Sequence, residues 1–529
     1  MATELELNLI RRIAMGDILR RRASDRGSRE AIVEFIAGER RALTFAEFNT
    51  RVNQWVRGLR ARGLRQGDRV ALLGGNTSEF LIALWGCFKG GFVAVPINFL
   101  QNPDDVGYNI HHSGARAAFA DDRLHALVDS VTTDLGELVR GTLAGAGSER
   151  YPALAAFLAG QDGAEVEDIV IDDDDLAQIM YTSGTTARPK GVMLSHKNLF
   201  LSSLNAVLSI GSNKNSTSHP AVLPLFHITA MMFSLTATHM GGKTVLQNGF
   251  NPDALLGLFE SERLEFAILL PLMWRALLAS PALPKHDYSS LKLGMYGMAP
   301  IDAPTLAQLK QAFGCTFTTG SGQTEIAAVA TVVDPGWAGT REGNIWGDGS
   351  ILSDQAVMDD QGNLLPPGEI GEVVWRSPQV MLGYFNNDAA TDEARAHGWH
   401  HSGDIGALDD DRQFCFVDRK KDIVKSGGEN VSSVKVESAI LACPGVANVG
   451  VIGLPHDYWG EAVTAVVAAK PGASLDEEAV IAHCKQDLGG FEVPKKVVVL
   501  DELPMTATGK VKKHLLRNDY RDLYRGEGK

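Results

Sequence analysis

The stretch Tyr181-Thr-Ser-Gly-Thr-Thr-Ala-Arg-Pro-Lys190-Gly191 is the most informative segment of this chain. Small hydroxyl residues and a glycine follow the strand-like residues 176–181, so backbone N–H groups and side-chain hydroxyls can converge on one anion. Lys190 supplies a positive charge beside them. Pro189 and Gly191 break the G-x-x-x-x-G-K-[ST] pattern of the best-known phosphate loop. The segment therefore predicts a phosphate site of a different kind, placed after a buried strand.

Strand-like and helical runs alternate on both sides of this segment. Residues 44–61 have helical spacing, and short apolar runs typical of buried strands occur at 69–74, 92–96, 244–247, 266–270 and 292–296. Strands that alternate with helices predict an α/β fold built of layered subdomains. Shorter β-like runs at 369–377 and 413–417 add a β-rich piece. We interpret the acidic residues 172–175 as a solvated linker.

A charged cluster at residues 418–421 separates two regions that each have their own hydrophobic pattern. Beyond it, the chain has strand-like and helix-like runs that predict a small α+β domain, namely strands at 446–453 and 462–469 and helices at 433–441 and 474–486. We therefore expect a large N-terminal domain (residues 1–418), a hinge (419–421) and a small C-terminal domain (422–529).

Composition and charge exclude some classes of function. The chain has 529 residues, of which 45% are hydrophobic and 22% charged, enough material for more than one buried core. Its 50 basic and 64 acidic side chains give a net charge of −14, which disfavours bulk nucleic-acid binding. Lysines nevertheless cluster after residue 419, where they either meet a polyanionic ligand or form a solvated face.

Neither a membrane span nor a disulfide framework is predicted. No run of about 18 uninterrupted apolar residues occurs, and residues 1–17 lack the apolar segment of a secretory leader. The cysteines are scattered without a C-x-x-C pair, which argues against a disulfide frame or structural zinc. They are Cys87, Cys315, Cys415, Cys443 and Cys484. We expect a soluble, cytoplasmic protein without a nucleic-acid partner.

Six further segments combine glycines, hydroxyl residues, carboxylates and lysines. In chain order they are Gly297-Met298-Ala299-Pro300, Thr319-Gly-Ser-Gly-Gln-Thr324-Glu325, Gly398-Trp-His-His-Ser-Gly-Asp404, Asp418-Arg419-Lys-Lys421-Asp, Lys425-Ser-Gly-Gly-Glu-Asn430 and Pro504-Met-Thr-Ala-Thr-Gly-Lys510. Together with residues 181–191, which are similar to T-S-G-T-T-G-x-P-K-G, they resemble the ordered motifs of the adenylate-forming superfamily. That superfamily contains acyl-CoA synthetases, luciferases and the adenylation domains of peptide synthetases. The resemblance covers about residues 30–520.

The resemblance implies an ATP- and AMP-binding site in the N-terminal domain. Its phosphate loop would consist of Thr182, Ser183, Gly184, Thr185, Thr186 and Lys190. Its adenine and acyl pocket would be lined by Gly297, Met298 and Ala299. The nucleotide would also contact Gly320, Ser321, Gly322, Gln323 and Thr324. Glu325 would hold Mg²⁺ against the ATP phosphates, a role that suits a carboxylate because Mg²⁺ prefers oxygen ligands.

The resemblance also assigns roles to residues further along the chain. Asp404 and Arg419 would bind the ribose, and Lys421 would be the hinge about which the small, mobile C-terminal domain rotates. Lys510 would contact the substrate carboxylate and the α-phosphate during adenylation. The channel for the pantetheine arm of coenzyme A would be lined by Lys425, Gly427 and Gly428.

The implied reaction has two halves. A carboxylate oxygen attacks the α-phosphorus of ATP and displaces pyrophosphate, while Mg²⁺ and Lys510 offset the growing charge. The small domain then rotates, and a thiol attacks the acyl-adenylate with AMP as the leaving group. The residues assigned to catalysis are Lys510, Glu325, Thr182 and His227. Because the chain ends soon after Lys510 without a carrier domain, we expect free coenzyme A as the acceptor.

The residues around Phe226-His227 bear on the identity of the acid. Amino-acid-activating relatives place an aspartate where His227 stands, so an amino acid is not expected. His227 resembles the histidine beside the acyl pocket of acyl- and aryl-CoA synthetases, and a packed core histidine is the alternative. Nearby apolar residues suit an adaptable hydrophobic pocket, or else plain core packing; they are Met231, Met232, Phe233 and Trp274. The resemblance thus favours a hydrophobic fatty, aryl or polycyclic acid, and it is compatible with a homodimer.

Three residues of the nucleotide site depart from the superfamily pattern. Ala187 replaces a glycine of the phosphate loop, Ser321 stands where an aromatic ring stacks on adenine, and Trp346 stands where the superfamily has glycine. A Cβ where φ must be positive costs about 1 kcal/mol, and a missing stack costs about 1–3 kcal/mol. Two enzymatic hypotheses follow: a complete ATP-dependent acid–CoA ligase, and an adenylation-impaired enzyme that mainly transfers an acyl-adenylate made elsewhere to CoA. A non-catalytic nucleotide- or acyl-binding regulator is the third.

Overall fold

The computed structural model describes residues 2–182, 188–211, 218–297, 301–334, 344–506 and 510–525. The helices are α1 (Glu4–Arg11), α2 (Gly16–Arg26), α3 (Phe45–Arg60), α4 (Ser78–Gly90), α5 (Pro103–Ser113), α6 (His125–Val131), α7 (Leu154–Leu158), α8 (His196–Ser209), α9 (Ile228–Met240), α10 (Pro252–Ser261), α11 (Pro271–Ala279), α12 (Ala303–Phe313), α13 (Asp388–Glu393), α14 (Ser433–Leu441), α15 (Glu477–Asp487) and α16 (Lys513–Asp519). A membrane-spanning helix is not found among the described residues.

The strands are β1 (Glu30–Ile36), β2 (Glu39–Thr44), β3 (Arg69–Leu73), β4 (Val93–Pro96), β5 (Ala115–Ala120), β6 (Val139–Thr142), β7 (Leu176–Thr182), β8 (Lys190–Ser195), β9 (Ser218–Ala221), β10 (Lys243–Leu246), β11 (Phe266–Leu269), β12 (Leu293–Tyr296), β13 (Thr316–Ser321), β14 (Thr331–Val332), β15 (Asp348–Gly349), β16 (Asp354–Met358), β17 (Gly371–Arg376), β18 (Gly383–Tyr384), β19 (His400–Leu408), β20 (Phe414–Arg419), β21 (Val424–Ser426), β22 (Glu429–Val431), β23 (Val446–His456), β24 (Gly460–Ala469) and β25 (Lys496–Leu500).

The chain divides into two compact units. The first comprises Met1–Glu342, Trp346–Gln355 and Trp375–His400, and the second comprises Gly343–Ile345, Ala356–Val374 and His401–Lys529. The four-stranded sheet of the β-rich piece has the order β16-β17-β19-β20. Most of its residues belong to the second unit, together with the small α+β region.

Three sheets organise the first unit. Their strand orders are β18-β8-β7-β4-β3-β5-β6, β2-β1-β10-β9 and β11-β12-β13-β14-β15. Within them β3, β4 and β5 are parallel, as are β11, β12 and β13. Parallel strands joined by helices confirm the α/β fold class and its layered subdomains.

The core around α3 and α4 shows why the local sequence signals were reliable. Helix α3 begins where Thr44 and Glu47 form a reciprocal capping box, and its apolar face is fully buried. Trp55 on that face lies against Gly86 of α4, where a Cβ would be only 2.2 Å from the Trp55 ring. The predicted helix at 44–61 is confirmed.

In the second unit, a long pair of antiparallel strands contributes to the hydrophobic core of the small α+β region. Strands β23 and β24 pair over their whole length, and β25 adds to β24 in parallel. Helix α14 begins after Ser432, whose side chain accepts a hydrogen bond from the backbone N–H of Lys435, and it matches the predicted helix at 433–441. Strand β25 and helix α16 were not predicted.

Candidate active site

A β-hairpin carries the predicted phosphate loop. Strands β7 and β8 run antiparallel, with Tyr181 opposite Gly191 and Thr182 opposite Lys190. The pairing fixes both ends of the loop and brings Thr182 and Lys190 side by side. The remaining predicted loop residues lie outside the described residues; they are Ser183, Gly184, Thr185, Thr186 and the variant residue Ala187.

A cation, a phenol and a carboxylate are contiguous beside this hairpin. Strand β18 pairs with β8 and places Tyr384 next to Lys190, whose ammonium lies 4.9 Å from the centre of the Tyr384 ring. The Tyr384 hydroxyl donates a hydrogen bond to Glu325 Oε1 over 2.9 Å. Burial and the Glu325 carboxylate raise the pKa of Tyr384 above its usual value, so this hydroxyl remains a donor.

Glu325 is held in place from two sides. Besides the bond from Tyr384, its carbonyl oxygen accepts a hydrogen bond from the backbone N–H of Met381 over 2.8 Å. Among the described residues, no three or more His, Cys, Asp or Glu side chains cluster in a way that would hold a metal ion. Mg²⁺ bound together with nucleotide needs only one or two carboxylates plus phosphate oxygens, so a single Glu325 fits such a shared ion.

The carboxyl ends of β12 and β13 form the next part of the site. The register sets Tyr296 opposite Thr319, so the following residues Gly297 and Gly320 are neighbours at the same sheet edge. Ligands of open α/β sheets bind at this edge. Met298, Ala299 and Pro300 follow Gly297 and lie outside the described residues.

Two glycines of the predicted nucleotide segment are required by close backbone packing. A Cβ at Gly320 would lie 2.2 Å from the carbonyl oxygen of Thr331, and one at Gly322 would lie 1.5 Å from that of Ala328. Both contacts are with backbone atoms, which cannot rotate away. The two positions therefore accept glycine only, whatever they contact in a ligand.

The turn after this segment is strained and tightly held. Thr324 begins a 3₁₀ turn that ends at Ile326, and the next two residues, Ala327 and Ala328, have φ of 52° and 98°. The N–H of Ala328 donates to the carbonyl of Gln323 over 3.0 Å, which stabilises this conformation. Left-handed alanines cost about 1 kcal/mol each and are typical of functional segments.

Gln323 contacts a histidine of the G-W-H-H segment. His400 Nε2 lies 3.4 Å from Gln323 Oε1, and the His400 ring stacks on Trp375 with ring centres 6.1 Å apart. His400 is buried. The first unit thus links the Thr319–Glu325 segment to the start of β19 through polar and aromatic contacts.

Ser321 is engaged in a local hydrogen-bond chain. Its Oγ lies 2.9 Å from Thr331 Oγ1, and Thr331 Oγ1 donates to the carbonyl of Trp346 over 2.5 Å. A short hydroxyl side chain therefore occupies the position where the resemblance implies an aromatic ring. Two of the three departures, Ser321 and Trp346, are connected in the fold through Thr331.

His227 has a structural function in addition to the role predicted for it. It is the N-cap residue of α9, and its Nδ1 accepts a hydrogen bond from the N–H of Thr229 over 3.4 Å. The preceding Phe226 packs edge-on against Phe99 with ring centres 5.4 Å apart. His227 is half-buried, and its place beside the acyl pocket stays a prediction.

The four apolar residues near His227 do not form one pocket. Met231 and Met232 pack in the core around α3 and α4, and Trp274 packs in a second core, where its Nε1 donates to the carbonyl of Met295 over 3.0 Å. Phe233 belongs to a third cluster with Met295. The interpretation of a single pocket is wrong because consecutive residues of α9 point into different layers and Trp274 lies on α11.

In the second unit, the two residues assigned to ribose face each other. Asp404 on β19 is opposite Arg419 on β20, and Arg419 Nε lies 2.7 Å from Asp404 Oδ1. The Asp404 side chain is only 3% exposed. Lys421 follows on the same chain segment, and its carbonyl accepts a hydrogen bond from Arg517 over 3.4 Å.

The glycines assigned to the pantetheine channel form an exposed two-residue turn. Strands β21 and β22 pair, and Gly427 and Gly428 between them have φ of 63° and 89°, a hairpin turn that favours glycine. Lys425 precedes the turn on β21 and is exposed. The N–H of Gly427 donates to the carbonyl of Trp459 over 2.8 Å, and Lys495 lies 4.7 Å from the centre of the Trp459 ring.

Lys510 lies within the electrostatic reach of the Asp404–Arg419 pair. The residue as a whole is exposed, yet enough protein surrounds its ammonium that this burial, together with the charges of Arg419 and Lys421, lowers the pKa of Lys510 to about 8. The backbone N–H of Lys510 donates to Thr506 Oγ1 over 3.0 Å.

Two residues of the site were missed from the sequence, Tyr384 and Trp459. Tyr384 follows Gly383 in the mainly apolar stretch 380–385, and only its pairing with β8 brings it to Lys190 and Glu325. Trp459 stands in an exposed stretch beside Tyr458, so the pair of adjacent aromatic residues outside a core pattern was the available signal.

Comparisons with known proteins agree with these motifs. The model of the AMP-binding enzyme family matches residues 19–385, and that of the AMP-binding enzyme C-terminal domain matches residues 435–510. Feruloyl-CoA synthase from Amycolatopsis sp is 37% identical over 483 residues, which are 90% of this chain and 94% of that protein.

A long-chain-fatty-acid–CoA ligase, FadD13 of Mycobacterium tuberculosis, is 31% identical over 96% of this chain and 98% of its own length. The crystal structure of ATP-bound MatB from Rhodopseudomonas palustris superposes with a TM-score of 0.84 at 30% identity, covering 96% of this chain and all of that one. Motifs, fold, family models and relatives therefore agree, and the chain belongs to the AMP-binding enzyme family, the adenylate-forming superfamily.

Proposed function

We propose that the protein is an AMP-forming acid–CoA ligase that converts a hydrophobic carboxylic acid, fatty, aryl or polycyclic, to its CoA thioester through an acyl-adenylate. The observation that carries the proposal is the Lys190–Tyr384–Glu325 arrangement beside the loop between β7 and β8. It combines a cation for phosphate with a carboxylate for a phosphate-bound metal ion. Relatives that are 37% and 31% identical to this chain are a feruloyl-CoA synthase and a long-chain-fatty-acid–CoA ligase.

In the first half-reaction, the ATP phosphates occupy the loop between Thr182 and Lys190. Bound with ATP, Mg²⁺ would neutralise phosphate charge. Glu325 would hold that ion, and Tyr384 orients the Glu325 carboxylate through its hydrogen bond. The Lys510 ammonium stabilises negative charge as the acid attacks the α-phosphorus and pyrophosphate leaves.

In the second half-reaction, the thiol of coenzyme A attacks the acyl-adenylate and AMP leaves. The exposed turn at Gly427 and Gly428 lets a thin chain pass close to the backbone because no side chain projects there. Lys421 is the proposed hinge residue, about which the small C-terminal domain rotates between the two half-reactions.

The test is a panel of fatty, aryl and polycyclic acids assayed with ATP and CoA omitted in turn. A complete ligase releases pyrophosphate from ATP plus acid in the absence of CoA, as a burst equal to the enzyme concentration. Ser321 favours the adenylation-impaired alternative as second candidate, since it supplies no ring for adenine. That enzyme would form CoA thioester from supplied acyl-adenylate and release no pyrophosphate, a result that would reject the first proposal.

The pH dependence of adenylation should report Lys510. Its ammonium is charged below its pKa of about 8 and neutral above it, so kcat/KM for ATP should be flat at lower pH and fall about tenfold per pH unit above about 8. Lys510→Arg keeps its charge at every accessible pH, so this variant, although slower, should lose the alkaline fall. The same alkaline fall in Lys510→Arg would assign it to another group.

Trp459 should contribute to the affinity for coenzyme A. Its ring lies beside the Gly427 turn, and the Lys495 ammonium lies over one face of this ring. An aromatic surface next to a cation suits a ligand that has both an aromatic ring and phosphate groups. Trp459→Ala should raise KM for CoA about tenfold and leave pyrophosphate release unchanged, whereas Trp459→Phe should restore most of the affinity. An equal loss in both half-reactions would indicate misfolding of the second unit instead.

A further inference from the structure

A cavity of about 90 Å³ lies in the first unit, and its lining residues differ from those assigned to the nucleotide. It is bounded by α9 and by the first residues of β9, β11 and β12. Its wall contains the apolar residues Phe233, Met240, Phe266 and Leu293 together with the charged residues Glu265 and Lys292. One water needs only about 10–15 Å³ by such a measure, so the cavity has room for several atoms of a ligand.

His219 is the polar group in this wall that has no partner. It is 5% exposed, and within the described part of the chain neither of its ring nitrogens makes a hydrogen bond. Its ring packs against Phe266 and Phe233, with ring centres 5.5 and 6.0 Å away. A buried polar group left without a partner costs about 1–3 kcal/mol, so a ligand that supplies the partner recovers that energy.

The protonation state of His219 limits which chemical groups can be its hydrogen-bond partner. Burial lowers its pKa to about 3, so the ring is neutral near pH 7 and offers one N–H donor and one acceptor nitrogen. A neutral hydroxyl or carbonyl group satisfies such a ring, and the two charged residues of the wall, Lys292 and Glu265, already pair with each other over 2.9 Å.

Two distances along the backbone relate the cavity to the reacting end of the site. Strand β12 runs from Leu293, in the cavity wall, to Gly297 at the sheet edge, which is roughly 13 Å at 3.3 Å per residue. Along α9, Thr236 in the wall is nine residues beyond His227, or roughly 13 Å at 1.5 Å per residue.

A packed apolar cluster with one adaptable side chain separates the two ends. Ile268, Met295 and Val329 form one cluster with Phe233 and Phe266, so the cluster borders the cavity. Methionine has three rotatable bonds and fills irregular gaps, so Met295 can move aside for an aliphatic or aromatic chain. An acid lying along β12 would therefore meet apolar groups first and His219 last.

We propose that this cavity receives the end of the acid remote from its carboxylate, and that this end carries a hydroxyl or carbonyl group that His219 binds. The proposal deepens the proposed ligase function and rests on it. It narrows the substrate to hydrophobic acids of roughly 13 Å with a neutral hydrogen-bonding group at the far end. His219 is then a specificity-determining residue.

The test compares matched acids on wild type and His219→Phe. The pairs are 10-hydroxydecanoic and decanoic acid, and 3-(4′-hydroxybiphenyl-4-yl)acrylic acid and its analogue without the hydroxyl group, whose lengths match the distance between the cavity and the reacting end. Phenylalanine keeps the ring against Phe233 and Phe266 but removes both nitrogens. We expect wild type to prefer the hydroxylated member of at least one pair, and the variant to lose that preference about tenfold in kcat/KM.

A matched control is available in α9. His239 is a partly buried histidine whose Nδ1 lies 2.9 Å from Ser203 Oγ, so it has a partner within the protein. His239→Phe should lower the melting temperature without changing the preference between acids. His219→Phe should leave the melting temperature of the unliganded protein equal or higher, because it removes two unpartnered polar atoms.

Binding is also measured without catalysis, as the rise in melting temperature with each acid. Wild type should be stabilised more by the hydroxylated acid, and His219→Phe equally by both members of a pair. An unchanged preference in His219→Phe, or wild type favouring the unsubstituted member of both pairs, would overturn the proposal while leaving the ligase function intact. Failure of every acid to give thioester, with acid binding still dependent on His219, would instead reject the ligase function alone.

Discussion

Replacing Lys510 by alanine should lower the rate of pyrophosphate release from ATP and acid by about 10²- to 10³-fold. This is the usual effect of removing one group that stabilises charge in a transition state. Lys510 provides such a group because its ammonium acts in the same region as Asp404 and Arg419, which are assigned to the nucleotide. The measurement is single-turnover pyrophosphate release with CoA absent.

The second half-reaction provides the internal check on this variant. CoA thioester formation from a supplied acyl-adenylate should stay within about threefold of wild type, because Lys510 is assigned to adenylation only. Lys470→Ala, an exposed lysine of the same unit, is the matched control and should change neither rate. If Lys510→Ala slowed both half-reactions equally, its assignment to adenylation would be wrong.

Glu325→Gln should lower kcat/KM for ATP by on the order of 10²-fold and raise the Mg²⁺ concentration needed for half-maximal rate. The amide can still accept the hydrogen bond from Tyr384, so the local fold is retained while the negative charge is lost. The measurement is pyrophosphate release at fixed ATP over a series of Mg²⁺ concentrations.

A control variant distinguishes an effect of charge at the site from an effect of the overall charge of the protein. Glu369→Gln alters an exposed carboxylate and should leave the Mg²⁺ dependence of wild type unchanged. A Glu325→Gln enzyme with the wild-type Mg²⁺ dependence would show that another group holds the ion.

Local signals in the sequence predicted the elements that local chemistry determines. Helix α14 was predicted with its observed limits because its apolar spacing and the preceding Ser432 act over one turn. The loop between β7 and β8 was placed after a strand for the same reason. Motif order then assigned the site, because Glu325, Asp404 and Lys510 each stand in a distinctive short segment.

Contacts between distant segments could not be predicted in this way. Tyr384 joins Lys190 and Glu325 only because β18 pairs with β8, and no local pattern encodes that pairing. Neighbouring residues of α9 were assigned to one pocket although Met232 and Phe233 face different clusters. A helix buried all round has no polar face to show which side points to a ligand.

The contact between Gly322 and Ala328 changes how a mutational survey of this enzyme should be interpreted. Inactive variants at Gly322 would usually be attributed to lost nucleotide binding. With only 1.5 Å between a new Cβ and the carbonyl oxygen of Ala328, even alanine must displace the backbone before any substrate arrives. Sensitivity at this position therefore measures main-chain geometry, and affinity for ATP has to be probed through residues whose side chains can be shortened without a clash.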